Sequence, residues 1–406
     1  MSRQQRPHLV IIGHGMGAQR LLQSLSEPFR QRWSITVIGG EPELAYNRIQ
    51  LSGWLAGDIS PDTLTLKAPQ WFSDRGYRVH SGDPATAIDR QQCCVHTQSG
   101  LRIAYDRLVL ATGSRPAFPE LPGIERSGIQ GFRDQADTRQ LLERARPGNT
   151  AVVIGGGFLG LEAADGLRRQ GMEVTVVHRS THLLNRQLDP VAGQLLAETL
   201  AARGIDIRLE SQVDSFDGTD RVRHVALESG ETLPADRVVM ATGITPNLEL
   251  AREAGLETDR GIRVDHSLTT SDPLIHALGE CCQLADQTYG LVEPVNRQAE
   301  VLADRLDGGE SLYRDTAVAT RLKISGVELF SCGEIAAGPD TESIVYHDRQ
   351  GGEYRHLLLR NNRLAGAVLY GDTSTGPWLF EHLQQGTDLA PWRAQLAFGE
   401  AHCEAA

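Results

Sequence analysis

Aromatic residues, basic charge and long apolar runs are all scarce in this 406-residue chain, and each shortage closes off a class of function. Lys and Arg number 40 against 52 Asp and Glu, for a formal charge of -12. Such a surface offers no basic face to a phosphate backbone, so no nucleic-acid partner is expected. No stretch approaches the roughly 20 apolar residues of a helical membrane span. The amino-terminal residues run into a strand at His8 with no signal-peptide core and cleavage site, so a cytoplasmic location is expected. Cysteine occurs six times, at positions 93, 94, 281, 282, 332 and 403, but never as C-x-x-C or C-x-C. A thioredoxin-type dithiol, a local iron–sulfur cluster and a metal site are therefore not expected. The vicinal pairs Cys93-Cys94 and Cys281-Cys282 read as small hydrophobes, since neighbours on a strand point to opposite faces.

Glycine, by contrast, is plentiful at 42 residues. In an α/β chain long enough for two or three domains, that points to many strand-to-helix turns, some of them close to ligand phosphates. The apolar run His8–Ile12 leads into Gly13-His14-Gly15-Met16-Gly17-Ala18, then a helix through Leu21, Leu22 and Leu25, then the strand Ile35–Ile38 ending at Gly39-Gly40-Glu41. This is one βαβ unit of about 30 residues. The same order returns with strand Ala151–Ile154, loop Gly155-Gly156-Gly157-Phe158-Leu159-Gly160, helix Leu161–Gln170 and strand Val174–Val177. The nucleotide-binding unit is thus internally duplicated. Short strands are expected on either side of Ser99-Gly100 (94–97 and 101–104) and of Ser229-Gly230 (222–227 and 232–233). After about Thr316, segments 321–324, 327–330, 354–359 and 365–370 read as antiparallel strands, with a helix near 378–385.

In the first loop, G-x-G-x-x-A, Gly13 permits the tight turn, Gly15 lets backbone approach a pyrophosphate, and Ala18 allows close helix packing. The second loop has the full G-x-G-x-x-G at Gly155, Gly157 and Gly160. Each opens a helix whose amide-rich start favours an anion. Two dinucleotides in one chain have an immediate chemical use: one carries hydride and the other accepts it. Two further segments, Ala111-Thr112-Gly113 and Ala241-Thr242-Gly243, each close a buried strand.

On these motifs the chain resembles the two-dinucleotide-domain FAD/NAD(P) oxidoreductases. Ala277-Leu278-Gly279-Glu280 is similar to the flavin-side A-x-G-D segment of that family, with Glu280 in place of Asp. Segments 45–52, 185–189, 278–281, 289–294 and 323–330 resemble the FAD/NAD module of NAD(P)H nitrite reductase large subunits, with rubredoxin and ferredoxin reductases as near relatives. The siroheme and iron–sulfur cysteines of the large subunit have no counterpart, so the resemblance implies the electron-input module standing alone.

The resemblance further implies two Rossmann-like domains and a carboxy-terminal α+β domain: FAD at 1–116 and 244–315, NAD(P) at 117–243, and 316–406 appended. It places FAD on Gly13, Gly15, Met16, Gly17, Ala18, Glu41, Arg48, Ala111, Thr112, Gly113, Gly279, Glu280 and Leu291. NAD(P)H falls to Gly155, Gly157, Phe158, Leu159, Gly160, His178, Arg179, Ala241, Thr242 and Gly243. Glu162 would face the nicotinamide, although a Glu near a helix amino terminus also simply suits the dipole. Several relatives pair that glutamate with a Lys where this chain has Gly53. Nucleotide choice stays open: His178-Arg179-Ser180 lacks the acid that selects NAD, while the resemblance leans to NADH. The implied reaction passes hydride from NADH or NADPH to FAD and electrons on to a redox protein. An NADH oxidase using O₂ and a non-enzymatic redox-responsive flavoprotein are the alternatives. The disulfide-reductase branch is not expected, because segment 46–54 has no cysteine.

Overall fold

A computed structural model of the protein describes residues 6–403 except Lys323 and Ser325. The expectations for Lys323, Ser325 and residues 404–406 lie outside the described residues. The chain divides into two compact units. One comprises residues 1–50, 60–115 and 244–315, the other residues 51–59, 116–243 and 316–406.

The first unit is built on a five-stranded parallel sheet in the order Ile275–Ala277, Arg107–Leu110, His8–Ile12, Ser34–Ile38, Arg78–His80. Its central strand buries Leu9, Val10, Ile11 and Ile12 to 4% exposure or less. Continuous burial of this kind marks a parallel strand covered on both faces, where alternation would mark a half-solvated one. Helices Met16–Ser24 and Val292–Leu306 pack together over it. In the second unit the parallel sheet runs Ile205–Arg208, Glu173–Val177, Thr150–Ile154, Arg237–Met240, Ile129–Gly131. Both sheets put the strand before the glycine loop at the centre, with the next strand on one side and the A-T-G strand on the other. That arrangement leaves a crevice at the carboxyl ends of the central strands.

Each unit also has a small antiparallel sheet of three strands: Ala85–Asp89, Cys94–Thr97 and Arg102–Ala104 in the first, Val213–Asp217, His224–Leu227 and Thr232–Pro234 in the second. Residues after 316 form a five-stranded antiparallel sheet, ordered Ala319–Arg321, Leu329–Gly333, Arg363–Tyr370, Glu353–Arg360, Glu342–Asp348, with helix Gly376–Gln385 against it. This layer has its own core around Phe330, Leu357, Leu369 and Leu379.

The structure adjusts some sequence expectations. The second loop helix starts at Phe158, inside the glycine motif. The strand expected at 321–324 sits at Ala319–Arg321, and strand Glu342–Asp348 was not foreseen. Cys94 and Cys282 open strands while Cys93 and Cys281 precede them, so neither pair alternates along a single strand. Cys94, Cys281, Cys282, Cys332 and Cys403 are buried.

Candidate functional site

Matched hydrogen bonds hold the two glycine loops. Gly13 N–H donates to Ile38 O (2.8 Å) and Gly155 N–H to Val177 O (2.9 Å). Ala111 N–H donates to Ile12 O (2.7 Å) and Ala241 N–H to Ile154 O (2.8 Å), which pins each A-T-G segment against the first glycine of its loop. Glycine is required there twice over. The φ angles are +108° and +124°, and a Cβ would lie 2.0 Å from Ala111 O or 2.2 Å from Ala241 O. Position two differs: Gly15 and Gly157 have ordinary φ values of -93° and -86°, and a Cβ would meet nothing within 4 Å. No protein neighbour explains these glycines, and the space beside each is open to a ligand. Helices Met16–Ser24 and Phe158–Arg169, which these glycines cap, have no side-chain cap. Their first-turn amides are therefore left for an anionic ligand.

Third positions are matters of packing. A Cβ on Gly160 would sit 2.0 Å from Gly155 O, and Ala18 is buried. Gly17 is a packing residue as well, since a Cβ there would press on Leu278 and Val295.

A size exchange links the two loops. In the first, His14 packs over Gly39, the residue after the second strand, whose Cβ would come within 3.1 Å of His14 Cβ. In the second the bulk is reversed: Gly156 lies beneath His178, and its Cβ would be 2.8 Å from His178 Cγ. A histidine thus packs on a glycine across this turn in both units, supplied from opposite sides. Gly156 N–H donates to His178 Nδ1 at 3.2 Å. Burial drives His14 down to about 4 and also lowers His178, so both rings are neutral at pH 7. Counting on from Ile38 and Val177 sets Gly40 against Arg179 and Glu41 against Ser180. Arg179 is exposed.

Around the first loop, Glu41 accepts a hydrogen bond from Tyr46 Oη (2.7 Å) and an ion pair from Arg48, whose guanidinium lies 4.9 Å from the Tyr46 ring centroid. Thr112 Oγ1 donates to Asn247 O (2.9 Å), and Asn247 Nδ2 returns a bond to Thr112 O (2.8 Å). Ser114 Oγ donates to Glu280 Oε2 (2.9 Å), and Gly279 N–H to Gln298 Oε1 (2.8 Å). Gly279 (φ +86°) and Gly113 (φ +64°) are left-handed. Leu291 is 39% exposed just before helix Val292–Leu306. In the second unit Thr242 Oγ1 donates to Ala117 O (2.8 Å) beside Gly243 (φ +130°). Phe158 and Leu159 lie in the first turn of the uncapped helix, and Glu162 lies in its second turn. The helix-dipole reading of Glu162 is thereby weakened, because the dipole's influence falls off within the first turn. Residues 51–59 pack on that helix: Arg169 pairs with Asp58 (2.7 Å), and Gln170 Nε2 donates to Leu55 O.

The first unit fits an FAD dinucleotide. Besides the open Gly15 and the free helix amides, Gln19 lies beside His14 with neither in a hydrogen bond of good geometry, and Gln298 Nε2 has no protein partner. Buried polar groups this close to a loop normally have partners, and a ligand can supply them. Sequence reasoning missed His14, Asn247, Ser114 and Gln298. Of these only His14, inside the G-x-G, had a local signal.

Two parallel sheets, each with a glycine loop, an uncapped helix and an A-T-G segment against its first glycine, define the class of two-dinucleotide reductases. The chain belongs to the pyridine nucleotide-disulphide oxidoreductase family, which it matches over residues 7–299. Residues 319–387 match the rubredoxin NAD+ reductase carboxy-terminal domain. The chain is 39% identical over 386 residues to a nitrite reductase [NAD(P)H] of Bacillus subtilis, covering 95% of this chain and 48% of that one. It is 36% identical to an assimilatory nitrate reductase electron transfer subunit of the same organism, covering 97% and 51%. The chain spans about half the length of these curated relatives. A crystal structure of the covalent putidaredoxin reductase–putidaredoxin complex is similar at 26% identity and TM-score 0.84, covering 94% of both chains. None of the helices in the described residues is long and apolar enough to cross a membrane.

Proposed function

We propose that this protein oxidises NAD(P)H and passes the electrons singly to a redox protein, with FAD held in the first unit. The duplicated loop carries this reading. Two phosphate cradles of one design, each with an open second glycine and an uncapped helix, serve two dinucleotides. Bound FAD supplies the chemistry, accepting hydride from NAD(P)H and releasing electrons one at a time.

The division of labour follows the expected domains: FAD on 1–116 and 244–315, NAD(P)H on 117–243, with 316–406 appended. Gly13, Gly15, Met16, Gly17 and Ala18 form the FAD phosphate turn. Glu41, oriented by Tyr46 and Arg48, takes the adenosine ribose. Glu280, steadied by Ser114, and the Thr112-Gly113 turn line the flavin side. Gly155, Gly157, Phe158, Leu159 and Gly160 take the phosphates of NAD(P)H, and Glu162 orients its nicotinamide. No general acid or nucleophile is needed. The side chains position and exclude water.

Because Ser180 stands in the register of Glu41, that position carries no acid to repel a 2′-phosphate, and the exposed Arg179 adds a cation. This supports acceptance of NADPH. The names of the relatives, an electron transfer subunit and a reductase joined to its putidaredoxin, support a protein acceptor.

Anaerobic addition of NADH and then NADPH to purified protein, followed by flavin absorbance, tests the proposal. Prompt bleaching and turnover with a one-electron acceptor but not with air are expected. Absence of flavin, or flavin that neither nucleotide bleaches, would refute it. Rapid peroxide or water formation in air would reassign the chain as an oxidase.

A further inference from the structure

The three-stranded sheet of the first unit places Asp89, Cys94 and His96 on one face. Cys94 and His96 are two residues apart on one strand, and Asp89 is the cross-strand partner of Cys94. Side chains at such positions project from the same side of a sheet. The opposite face, with Ile88 and Val95, is buried in the core, so packing fixes the register that brings these groups together. Their ligand atoms all lie within 4.8 Å of one another. Cys94 Sγ and His96 Nε2 are 3.5 Å apart. A tetrahedral zinc ion with Zn–S of about 2.3 Å and Zn–N of about 2.0–2.1 Å separates sulfur and nitrogen by about 3.5–3.6 Å. The observed spacing matches.

From this geometry we propose that Asp89, Cys94 and His96 form a binding site for a thiophilic divalent cation such as Zn²⁺, with water at the fourth position. Thiolate, imidazole and carboxylate are a zinc donor set, and the two anionic ligands balance the charge of the ion. Arg102, paired with His96 on the third strand, donates its Nε–H to Cys94 Sγ at 3.2 Å, and Gln92 Oε1 accepts from its guanidinium. A donor on the sulfur supports the thiolate that a metal requires. Cys94 is only 2% exposed, but the third-strand residues on this face, Arg102 and Ala104, are both exposed. An ion therefore reaches the sulfur by shifting the exposed Arg102 side chain, with no need to open backbone. Cys93 takes no part: its left-handed φ of +47° turns it away, and its Sγ donates to Arg90 O. The vicinal pair is thus one ligand and one turn residue. This site departs from the sequence expectation of no metal and is independent of the flavin reading.

The test uses the full-length reduced protein, stripped with a chelator and titrated anaerobically with Co²⁺. One equivalent should bind, with visible d–d absorption of tetrahedral cobalt–thiolate to the red of the flavin bands. Zn²⁺ should displace it and protect one thiol from alkylation. Cys94→Ser should abolish the bands, and His96→Ala should weaken binding at least tenfold. His96 lies on the outer face, so that variant keeps the fold, with unchanged flavin content as the check. No uptake by the wild type, or uptake equal in both variants, would overturn the proposal.

Discussion

Replacing the first and second glycines of one loop separates protein-imposed from ligand-imposed constraint. In Gly13→Ala the new methyl lands 2.0 Å from Ala111 O, where contacts under 3.0 Å are essentially never found. That carbonyl cannot retreat freely, because its own residue's N–H is bonded to Ile12 O in the parallel ladder. The strained φ costs about 1–3 kcal/mol, and forcing the backbone apart costs about 1–3 kcal/mol more. Against a total stability of roughly 5–15 kcal/mol, the apo protein should melt several degrees lower or fail to accumulate. Gly15→Ala has ordinary backbone angles and no atom within 4 Å of the methyl, so apo stability should stay within about 0.5 kcal/mol of wild type. Its effect should fall on FAD. A methyl in the phosphate approach costs about 1–3 kcal/mol, or roughly 5- to 150-fold in affinity. Gly157→Ala supplies the internal control, with normal flavin content and a matching loss of NAD(P)H affinity. Thermal melting of apo protein, flavin stoichiometry and nucleotide titration read all three. Wild-type FAD affinity in Gly15→Ala, or wild-type melting in Gly13→Ala, would refute the assignment of the loops.

Other consequences are open to direct measurement. Asp189 caps helix Pro190–Ala202 through Ala192 N–H and accepts from His356 Nδ1 (2.9 Å) and Tyr354 Oη (3.1 Å). Burial pulls its carboxyl up, but the hydrogen bonds from His356, Ala192 and Tyr354 outweigh it and hold it below the usual range. Asp189→Ala should therefore cost about 2–4 kcal/mol, through the lost helix cap and the donors left unsatisfied, seen in urea unfolding. The stability that this carboxylate adds should be lost only as pH falls below about 4. His276 is buried near Arg107 and Arg305 and is held at about 4, below its ordinary 6.5. Its folded pKa is the lower one, so its contribution is complete above about 6.5 and declines as pH falls toward 4, by at most about 3.5 kcal/mol. His276→Gln should flatten that part of the stability–pH curve. Glu162→Gln should retain full flavin and slow its reduction by NAD(P)H about 10- to 100-fold if the nicotinamide is misplaced. An unchanged rate would remove Glu162 from the site. Arg179→Ala should lower kcat/KM for NADPH about tenfold, a charge-assisted contact of about 1.5 kcal/mol, and leave NADH unaltered.

The loops and their central strands were legible because the information is local. Leu9–Ile12 and Ala151–Ile154 are unbroken apolar runs, and the first glycine after each stands where a Cβ would collide with backbone. The strand at 342–348 was not legible. Its residues Glu342, Ser343, Ile344, Val345, Tyr346, His347 and Asp348 lie at the edge of their sheet and are exposed or half-buried. Neither a buried run nor a clean alternation marks them. Asn247, which clamps Thr112 from 135 residues away, was likewise invisible, since only the folded chain brings the two together.

The exchange of His14 over Gly39 for Gly156 under His178 shows why nucleotide choice could not be read from the residue string alone. In sequence, His178-Arg179-Ser180 looks like a single selecting segment at the end of a strand. In the fold, His178 is buried at 9% exposure, bound to the Gly156 amide and packed on that glycine. It packs on the loop, and on the proposed function Arg179 and Ser180 are left to meet whatever extends from the ribose. The register set by Gly13 on Ile38 and Gly155 on Val177 aligns Ser180 with Glu41. One duplicated unit has thus kept an acid where the other has a hydroxyl beside an arginine. A carboxylate at that position accepts from a ribose hydroxyl and repels a phosphate, while the arginine–serine pair donates to a phosphate. On the proposed function, the same backbone would hold two chemically different dinucleotides, and the two side chains just past the second strand would make the choice.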